Sequence, residues 1–264
     1  MNEQFPTGKN TVSYSEVSTW ASCAYRHKLA FIDKIVIEQN WIHARYGTAL
    51  HKGIENYLKN KSLDLDAFSL ELKDIWEKEN YPDYETWNSW GITCLTALPE
   101  WMNSQFPDWE FVGVELRIEE NIPKEDQIKF KGFVDCIIRV PLNKEKTRWK
   151  TWIIDWKTAG PRGWDRQKRS DELVLSQLYL YKSYFMQIFG GESREIGTAF
   201  ILMKKGSKKE KCIDFIPVSS GPKSMEKANK MVINMITSVR KEKFFKNKYG
   251  CKWCPYFDTS HCSR

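Results

Sequence analysis

The chain has 264 residues, of which 41% are hydrophobic and 14% aromatic, a composition that supports a buried core and excludes disorder as the main state. No apolar stretch approaches the roughly 18 residues of a membrane span, and Met1 to Asn10 is polar where a signal peptide is apolar, so we expect a cytoplasmic protein. Basic residues (41) outnumber acidic ones (34), and 14 basic and 4 acidic residues lie between Lys204 and Lys252, which favours a polyanionic partner.

The spacing of apolar residues predicts a helical first part followed by strands. Ser13 and Glu16 form a capping-box pattern, which predicts a helix over about 14–31. Strand-like alternation then predicts a three-strand meander. In chain order we expect helices over about 44–61, 65–79 and 86–105, strands over 111–119, 128–140 and 149–156, a helix over 171–189, strands over 197–203 and 211–218, and a helix over 223–245.

These elements predict an α/β fold in one domain. No internal repeat and no long Pro/Gly/Ser linker divides the chain. We expect a helical N-terminal part over 1–105, a core over 106–220, and a C-terminal helix with a cysteine-bearing tail over 221–264.

Three acidic residues stand 20 positions apart, one on each strand of the predicted meander: Glu115, Asp135 and Asp155. Paired residues of an antiparallel hairpin have numbers that sum to twice the turn centre, and the two centres, 125 and 145, both fall in polar turn-like stretches. An undisturbed register would therefore place all three carboxylates side by side on one face of the sheet, with Lys157 on the same face.

Adjacent carboxylates repel one another unless a cation lies among them. Mg²⁺ or Mn²⁺ prefers carboxylate oxygens, and a neighbouring lysine can orient water or stabilise a developing anion, which is the chemistry of phosphodiester cleavage. The alternative without a function is a set of solvated carboxylates on an open face, with Lys157 merely paired to one of them. The apolar run that ends in Asp155 and Lys157 weighs against it, because burying both groups without a function or mutual pairing is costly.

Two helices carry polar residues at four-residue spacing. Gly47, His51 and Glu55 would line one face of the second helix, and Gln177 and Tyr181 would do so on the helix after Lys157. A lone helical histidine is more often a packed or surface residue than a ligand, so only the carboxylates elsewhere make His51 a candidate.

Taken in order, these motifs resemble the PD-(D/E)xK nuclease superfamily, in particular its RecB-like branch. The resemblance rests on four motifs and spans nearly the whole chain, from about Ser13 to Cys262. The four are Gly47-x3-His51-x3-Glu55, Gly132-Phe133-Val134-Asp135, Asp155-Trp156-Lys157 and Gln177-x3-Tyr181. One departure is the aspartate at position 155 in place of the commoner glutamate, and another is Val134 where the superfamily has proline.

The resemblance implies a mixed central β-sheet flanked by helices, a restriction-endonuclease-like core. It implies His51, Asp135, Asp155 and the Trp156 carbonyl as ligands of Mg²⁺ or Mn²⁺, and Lys157 as the catalytic lysine. Gln177 and Tyr181 would position DNA, whereas Glu115 comes from the register and has only partial support from the family.

Seven cysteines, an odd number, argue against a disulfide framework. Cys251, Cys254 and Cys262 have a metal-like spacing, and a small zinc site completed by His261 or His27, or plain burial, would explain them. The resemblance favours a third explanation. The iron–sulfur subgroup, which includes CRISPR-associated exonucleases, holds a [4Fe–4S] cluster with one cysteine before the histidine motif and three at the C-terminus, a layout that Cys23 and these three cysteines match. We expect Cys94, Cys136 and Cys212 to be packed thiols.

Basic and aromatic residues add candidate contacts to DNA. Lys204, Lys205, Lys208 and Lys209, and Arg240 with the lysines that follow it, would either contact phosphates or form a solvated charged face. Aromatic residues near the motifs are candidates for stacking on single-stranded bases, although most tryptophans belong to cores. These are Trp156, Trp164, Tyr179 and Tyr181.

The sequence as a whole predicts a metal-dependent DNA exonuclease acting on single-stranded ends, in the cytoplasm of a bacterial, archaeal or phage-infected cell. Two alternatives stay open: a structure-specific endonuclease, and a noncatalytic DNA-binding scaffold in a recombination or CRISPR-adaptation assembly. The intact Asp155-x-Lys157 pair argues against the scaffold, and a zinc-binding transcription factor would leave the carboxylates unexplained.

Overall fold

The computed structural model describes residues 5–39 and 41–263; residues 1–4, part of the polar start compared above with a signal peptide, lie outside the described residues. A mixed six-stranded sheet forms the centre, with helices packed on both of its faces. The helices are α1 (Tyr14–Ser22), α2 (Ala24–His27), α3 (Ile42–Asn60), α4 (Leu65–Lys78), α5 (Tyr84–Gln105), α6 (Arg166–Arg169), α7 (Glu172–Phe189) and α8 (Pro222–Arg240). The strands are β1 (Thr11–Val12), β2 (Glu110–Asn121), β3 (Lys129–Pro141), β4 (Trp149–Ala159), β5 (Ile196–Lys204) and β6 (Ile213–Val218).

Strand β3 lies at the branch of the sheet. It pairs antiparallel with β2, antiparallel with β4, and in parallel with the short β1. Beyond β4 the sheet continues with a parallel pairing to β5 and an antiparallel one to β6. The predicted meander is therefore confirmed as β2, β3 and β4, and the mixed sheet flanked by helices is the predicted fold class.

Two hydrophobic clusters fill the space on the two faces of the sheet. Successive strand residues point to opposite faces, so Ile153 belongs to one cluster and Ile154 to the other. The first cluster packs α1, α7 and α8, and the second packs α3, α4 and α5. Cys94, Cys136 and Cys212 are buried, as predicted.

Three predicted element boundaries are wrong. The helix expected over 14–31 breaks at Cys23, whose backbone is extended (φ −166°, ψ 112°), and the chain resumes as α2 and a π-helical turn over Lys28–Ile32. Helix α8 ends at Arg240 rather than 245, because Glu242 adopts a left-handed conformation (φ 51°) and turns the chain. The strand expected from 211 begins at Ile213, because Lys209–Lys211 forms a 3₁₀ turn. Strand β1, with two residues, was too short for periodicity to predict.

Candidate active site

The predicted register of the three acidic positions is the observed one. Val114 pairs with Cys136 and Leu116 with Val134, which places Glu115 opposite Asp135. Cys136 pairs with Ile154, so Asp135 and Asp155 lie at the next positions of the second hairpin. The ladder between β3 and β4 ends at that pair, and β4 continues alongside β5. The acidic positions therefore lie where the sheet forks.

The β2–β3 ribbon is irregular at this point. Val134 packs in the first cluster and Cys136 in the second, so the alternation of faces reverses across Asp135. Glu115 on the neighbouring strand has a φ of 48°, a left-handed conformation that is uncommon for residues other than glycine. Such backbone conformations occur where a structure holds functional side chains in fixed positions.

The ligand atoms of His51, Glu115 and Asp135 lie within 4.8 Å of one another. His51 comes from α3, and its Nδ1 lies 3.6 Å from Oδ2 of Asp135. The backbone N–H of Trp156 donates to the same Oδ2 at 2.8 Å. The fork of the sheet thus brings together a nitrogen ligand and two carboxylates.

The expectation that all three carboxylates share one face is wrong for Asp155. Its side chain is buried, and its Oδ1 accepts a hydrogen bond of 2.6 Å from Nε2 of Gln177 on α7. Its Oδ2 lies 2.6 Å from the Nζ of Lys157, so the ion pair that the alternative without a function gave to Lys157 is present, although Asp155 is buried rather than solvated. The difference arises at the fork, where Asp135 contacts His51 of α3 and Asp155 contacts Gln177 of α7, while the two carboxylates stay close enough for the charge of Asp155 to raise the pKa of Asp135.

The other helix residues of the motifs, Gln177, Tyr181 and Glu55, lie at different places around the fork. Gln177 also donates to the Tyr181 hydroxyl at 3.2 Å. Gln177 and Tyr181 therefore support Asp155 from α7. Glu55 lines the same small pocket as His51 and Glu115 and forms an ion pair with Lys59 at 2.5 Å.

A glycine permits the approach of α7 to β3. A Cβ atom on Gly132 would lie 2.8 Å from Cε1 of Tyr181 and 3.2 Å from Cε1 of Phe130. The first of these contacts is closer than real Cβ atoms show, and an aromatic ring held in a core cannot swing aside. Gly132, the first residue of the second motif, is therefore required for the position of Tyr181.

Burial and like charges shift the titration of the carboxylates. Burial, followed by the charge of Asp155, raises the pKa of Asp135 well above its ordinary value. Burial also raises the pKa of Glu115, with further contributions from Glu55 and Asp155. Burial lowers the pKa of His51, although a hydrogen bond to the Trp156 backbone opposes this. Burial and neighbouring like charges thus both disfavour the ionised forms of Asp135 and Glu115 when no cation is bound.

The pKa of Lys157 is also raised, but the cause is a neighbouring opposite charge. Burial lowers its pKa, but the adjacent Asp155 outweighs burial and the net pKa lies above the ordinary value. The side chain is consequently an ammonium group at neutral pH.

The four candidate cluster cysteines line one cavity of about 450 Å³ between the N-terminal helices and the tail. The break at Cys23 puts its sulfur at the tail, where the backbone N–H of Asn247 donates to it at 3.3 Å. The Tyr25 N–H donates to the Phe245 carbonyl at 3.1 Å, and the Tyr256 hydroxyl donates to the Ile35 carbonyl at 2.8 Å. The tail is thus docked on the segment that carries Cys23.

Of the two histidines considered as zinc ligands, His27 is paired with a carboxylate and does not line the cysteine cavity. It is fully buried, and its Nε2 lies 3.0 Å from Oε1 of Glu16. His261 is exposed, and its carbonyl accepts from the Tyr25 hydroxyl at 3.3 Å.

Part of the basic segment is engaged within the protein. Lys204 is buried and lies 2.7 Å from Asp214, and Arg240 pairs with Glu125. Lys205 is half-buried over the Trp87 ring, 4.9 Å from its centroid. The exposed basic residues of the segment that stay available to phosphates include Lys208, Lys209, Lys241, Lys243 and Lys248.

The chain matches a known protein family and resembles a solved structure in fold. The model of the PD-(D/E)XK nuclease superfamily matches residues 11–259. No curated protein matches the chain in sequence. Among solved structures, a candidate exonuclease from Eubacterium rectale is similar in fold, with 11% identity, a TM-score of 0.58, and coverage of 97% of this chain and 90% of that one.

A second solved structure, that of SSO0001, has 14% identity over 94% of this chain and 84% of that one, with a TM-score of 0.41. Among the described helices, none is long and apolar enough to cross a membrane. The family model covers nearly the whole chain, residues 11–259 of 264. The chain belongs to the PD-(D/E)XK nuclease superfamily.

Proposed function

We propose that this chain is a divalent-metal-dependent DNA exonuclease that acts on single-stranded ends and carries a structural [4Fe–4S] cluster. Membership of the superfamily supports the coarser statement, a nuclease that uses a divalent metal and takes a nucleic acid as substrate. The observation that carries the proposal is the fork itself. It gathers His51, Glu115 and Asp135 within 4.8 Å and holds the Asp155–Lys157 pair beside them.

The residues at the fork fit a hard divalent cation. Carboxylate oxygens and an imidazole nitrogen suit Mg²⁺ or Mn²⁺, and a bound cation would offset the burial and the like charges that raise the pKa values of Asp135 and Glu115. We assign His51, Asp135, Asp155 and the Trp156 carbonyl as ligands, with Glu115 as a supporting carboxylate. A bound cation would supply Lewis-acid stabilisation of the phosphodiester and would make water a stronger acid.

The protein's own groups would do the positioning. Lys157, as an ammonium, would hold the attacking water by a hydrogen bond and would stabilise negative charge that develops on the phosphate. Gln177 fixes one oxygen of Asp155, and Tyr181 in turn contacts Gln177, so this pair keeps Asp155 oriented. Orienting Asp155 is a different role from direct contact with DNA, which is what the resemblance implies for Gln177 and Tyr181.

The depth of the site supports a single strand as substrate. Asp155 is buried, and the fork lies between α3 and α7, which approach it from opposite faces of the sheet. An unpaired strand is narrower than a duplex, which favours its approach to a carboxylate at this depth. The name of the Eubacterium rectale protein agrees with exonuclease activity, although a likeness at 11% identity shows the fold alone.

The nuclease proposal is tested with end-labelled linear and covalently closed circular single-stranded DNA, each incubated with Mn²⁺ or with EDTA. We expect shortening of the linear strand only with Mn²⁺, and no cutting of the circle. Cutting of the circle would instead support a structure-specific endonuclease. DNA binding that is insensitive to chelator and gives no turnover in any metal would support a noncatalytic scaffold.

The cavity at the tail fits a cluster better than one zinc ion. Four thiolates around zinc, at about 2.3 Å each, would lie about 3.8 Å apart. Within residues 5–39 and 41–263, no three cysteine sulfurs lie within 4.8 Å of one another. Cys23, Cys251, Cys254 and Cys262 instead surround a cavity, which suits a larger group that ties the tail to the N-terminal helices.

Anaerobic purification with iron, sulfide and zinc analysis tests the cluster. We expect brown protein with about four irons per chain. Cys254→Ser should lose the colour, and Cys94→Ser, a change at a packed thiol, should keep it. Colourless protein with one zinc would refute the cluster and leave the nuclease proposal intact. We place such an enzyme in the cytoplasm, in a recombination or CRISPR-adaptation assembly, and pull-down with the proteins of those assemblies tests this.

A further inference from the structure

A groove of about 400 Å³ opens in the sheet beside the catalytic fork. Strand β3 pairs with β1 at Lys129 and Phe130, and with β4 from Cys136 onward, so a gap separates the two partners on that edge. The groove lies at this gap, between the start of α1, β3 and α7. A volume of this size is within the roughly 300–1,000 Å³ of sites for small molecules and accommodates a unit such as one nucleotide.

The lining of the groove combines cations, hydroxyl groups and one exposed aromatic ring. Lys9 and Lys131 contribute ammonium groups, and Ser13 and Tyr14 contribute hydroxyls. Glu16 also lines the groove, but its buried carboxylate is paired with His27. The groove is therefore suited to a phosphate-bearing ligand.

Phe133 is the aromatic ring that this groove presents to solvent. Its side chain is 44% exposed, and the Nζ of Lys131 lies 5.6 Å from its ring centroid. The four aromatic residues that the sequence suggested for stacking on bases, Trp156, Trp164, Tyr179 and Tyr181, are all buried, with exposures of 7% or less. Those rings cannot offer a face to a base, whereas Phe133 can.

Gln177 links the groove to the fork. Gln177 lines the groove and donates to Asp155 at 2.6 Å. Phe133 is two residues before Asp135 on one strand, a separation of about 7 Å along the strand. A nucleotide in the groove would therefore lie next to the phosphate that is cut.

We infer that this groove binds the nucleotide adjacent to the scissile phosphate, with its base stacked on Phe133 and its phosphate near Lys9 and Lys131. This rests on the proposed function and deepens it, because it identifies what selects single strands. A base within a duplex has both faces covered by its neighbours, so only an unpaired or frayed base can stack on Phe133. Phe133 is then a specificity-determining residue of the nuclease.

The test is equilibrium binding of the full-length chain, in EDTA to prevent cleavage, to a fluorescent single strand and to a blunt hairpin duplex. We expect Phe133→Ala to weaken single-strand binding by ~5-fold or more and duplex binding by less than about twofold, with Phe133→Trp restoring the preference. With Mn²⁺, Phe133→Ala should raise KM for single strands more than it lowers kcat. Phe189→Ala is the matched control, because Phe189 is another exposed phenylalanine and lies outside the groove.

Failure of this inference is distinguishable from failure of the proposed function. If wild-type protein cuts single strands and Phe133→Ala binds them equally well, the inference is overturned and the nuclease stands. An equal loss on both substrates, or the same loss in Phe189→Ala, overturns it as well. Wild-type protein that neither binds nor cuts single strands would remove the proposed function and this inference together.

Discussion

The ammonium of Lys157 lies 2.6 Å from Oδ2 of Asp155, but the two side chains differ in burial, with 33% of Lys157 and 1% of Asp155 exposed. Asp155 thus depends on protein partners for its charge, whereas Lys157 can reach solvent and a substrate. One contact therefore serves both the stability of a buried carboxylate and the placement of a cation at the fork.

The first prediction follows from that contact. Lys157→Ala and Asp155→Asn should each reduce Mn²⁺-dependent cleavage by at least about 100-fold, since each removes a group from the reacting centre. Lys157→Ala should also lower the free energy of unfolding of metal-free protein by about 1–3 kcal/mol, because it leaves the buried Asp155 with Gln177 alone. Chemical denaturation and a cleavage assay measure both effects, and appreciable activity in either variant would rule out this mechanism.

A second prediction concerns metal binding at the fork. Mn²⁺ should raise the Tm of the wild-type protein, because an ion that binds only the folded state stabilises it. His51→Ala and Asp135→Asn should lose most of this rise. Glu125→Gln, far from the fork, should retain it. An unchanged Mn²⁺-dependent shift in Asp135→Asn would contradict the assignment of that residue as a ligand.

A third prediction concerns the close approach of Tyr181 to β3. Gly132→Ala should displace the Tyr181 ring and disturb the hydrogen bonds that hold Gln177 and Asp155, reducing cleavage by about 10-fold or more and stability by about 1–3 kcal/mol. Gly113→Ala is the matched control, since a Cβ there meets nothing within 4 Å. Equal activity in the two variants would show that the approach of Tyr181 is not required.

A fourth prediction is a pH dependence at the turn between β2 and β3. Glu125 accepts two hydrogen bonds of 2.7 Å from Arg240, and this contact holds the pKa of Glu125 below its ordinary value. Because the folded-state pKa is below that of the unfolded chain, the stabilisation is complete above the unfolded-state value and is lost as the pH falls through the folded-state value.

Glu125→Gln should therefore cost about 1 kcal/mol at pH 7, a modest figure because Arg240 is partly exposed, and almost nothing at pH 3. Urea denaturation of both proteins across this pH range measures the difference. A cost that is the same at pH 3 and pH 7 would show that the ionised carboxylate is not its source.

The sequence predicted the architecture well where the signal is local. Apolar alternation identified β2, β3 and β4, and polar turn centres at 125 and 145 gave the register that the structure shows. Helical periodicity identified α3, α4, α5 and α7 to within about two residues. It failed at Cys23, because the extended backbone there is stabilised by the docked tail, which is distant in sequence.

The sequence by itself determined which residues are candidates for the chemistry and, through strand periodicity and the turns, which of them lie opposite one another. Only the tertiary structure decided which way each side chain points. The splaying of β3 from β4 sends Asp135 towards His51 and Asp155 towards Gln177, and the packing of α7 against Gly132 buries Tyr181. Periodicity is a property of one strand or helix, whereas a fork, a groove and the exposure of Phe133 depend on how separate elements pack.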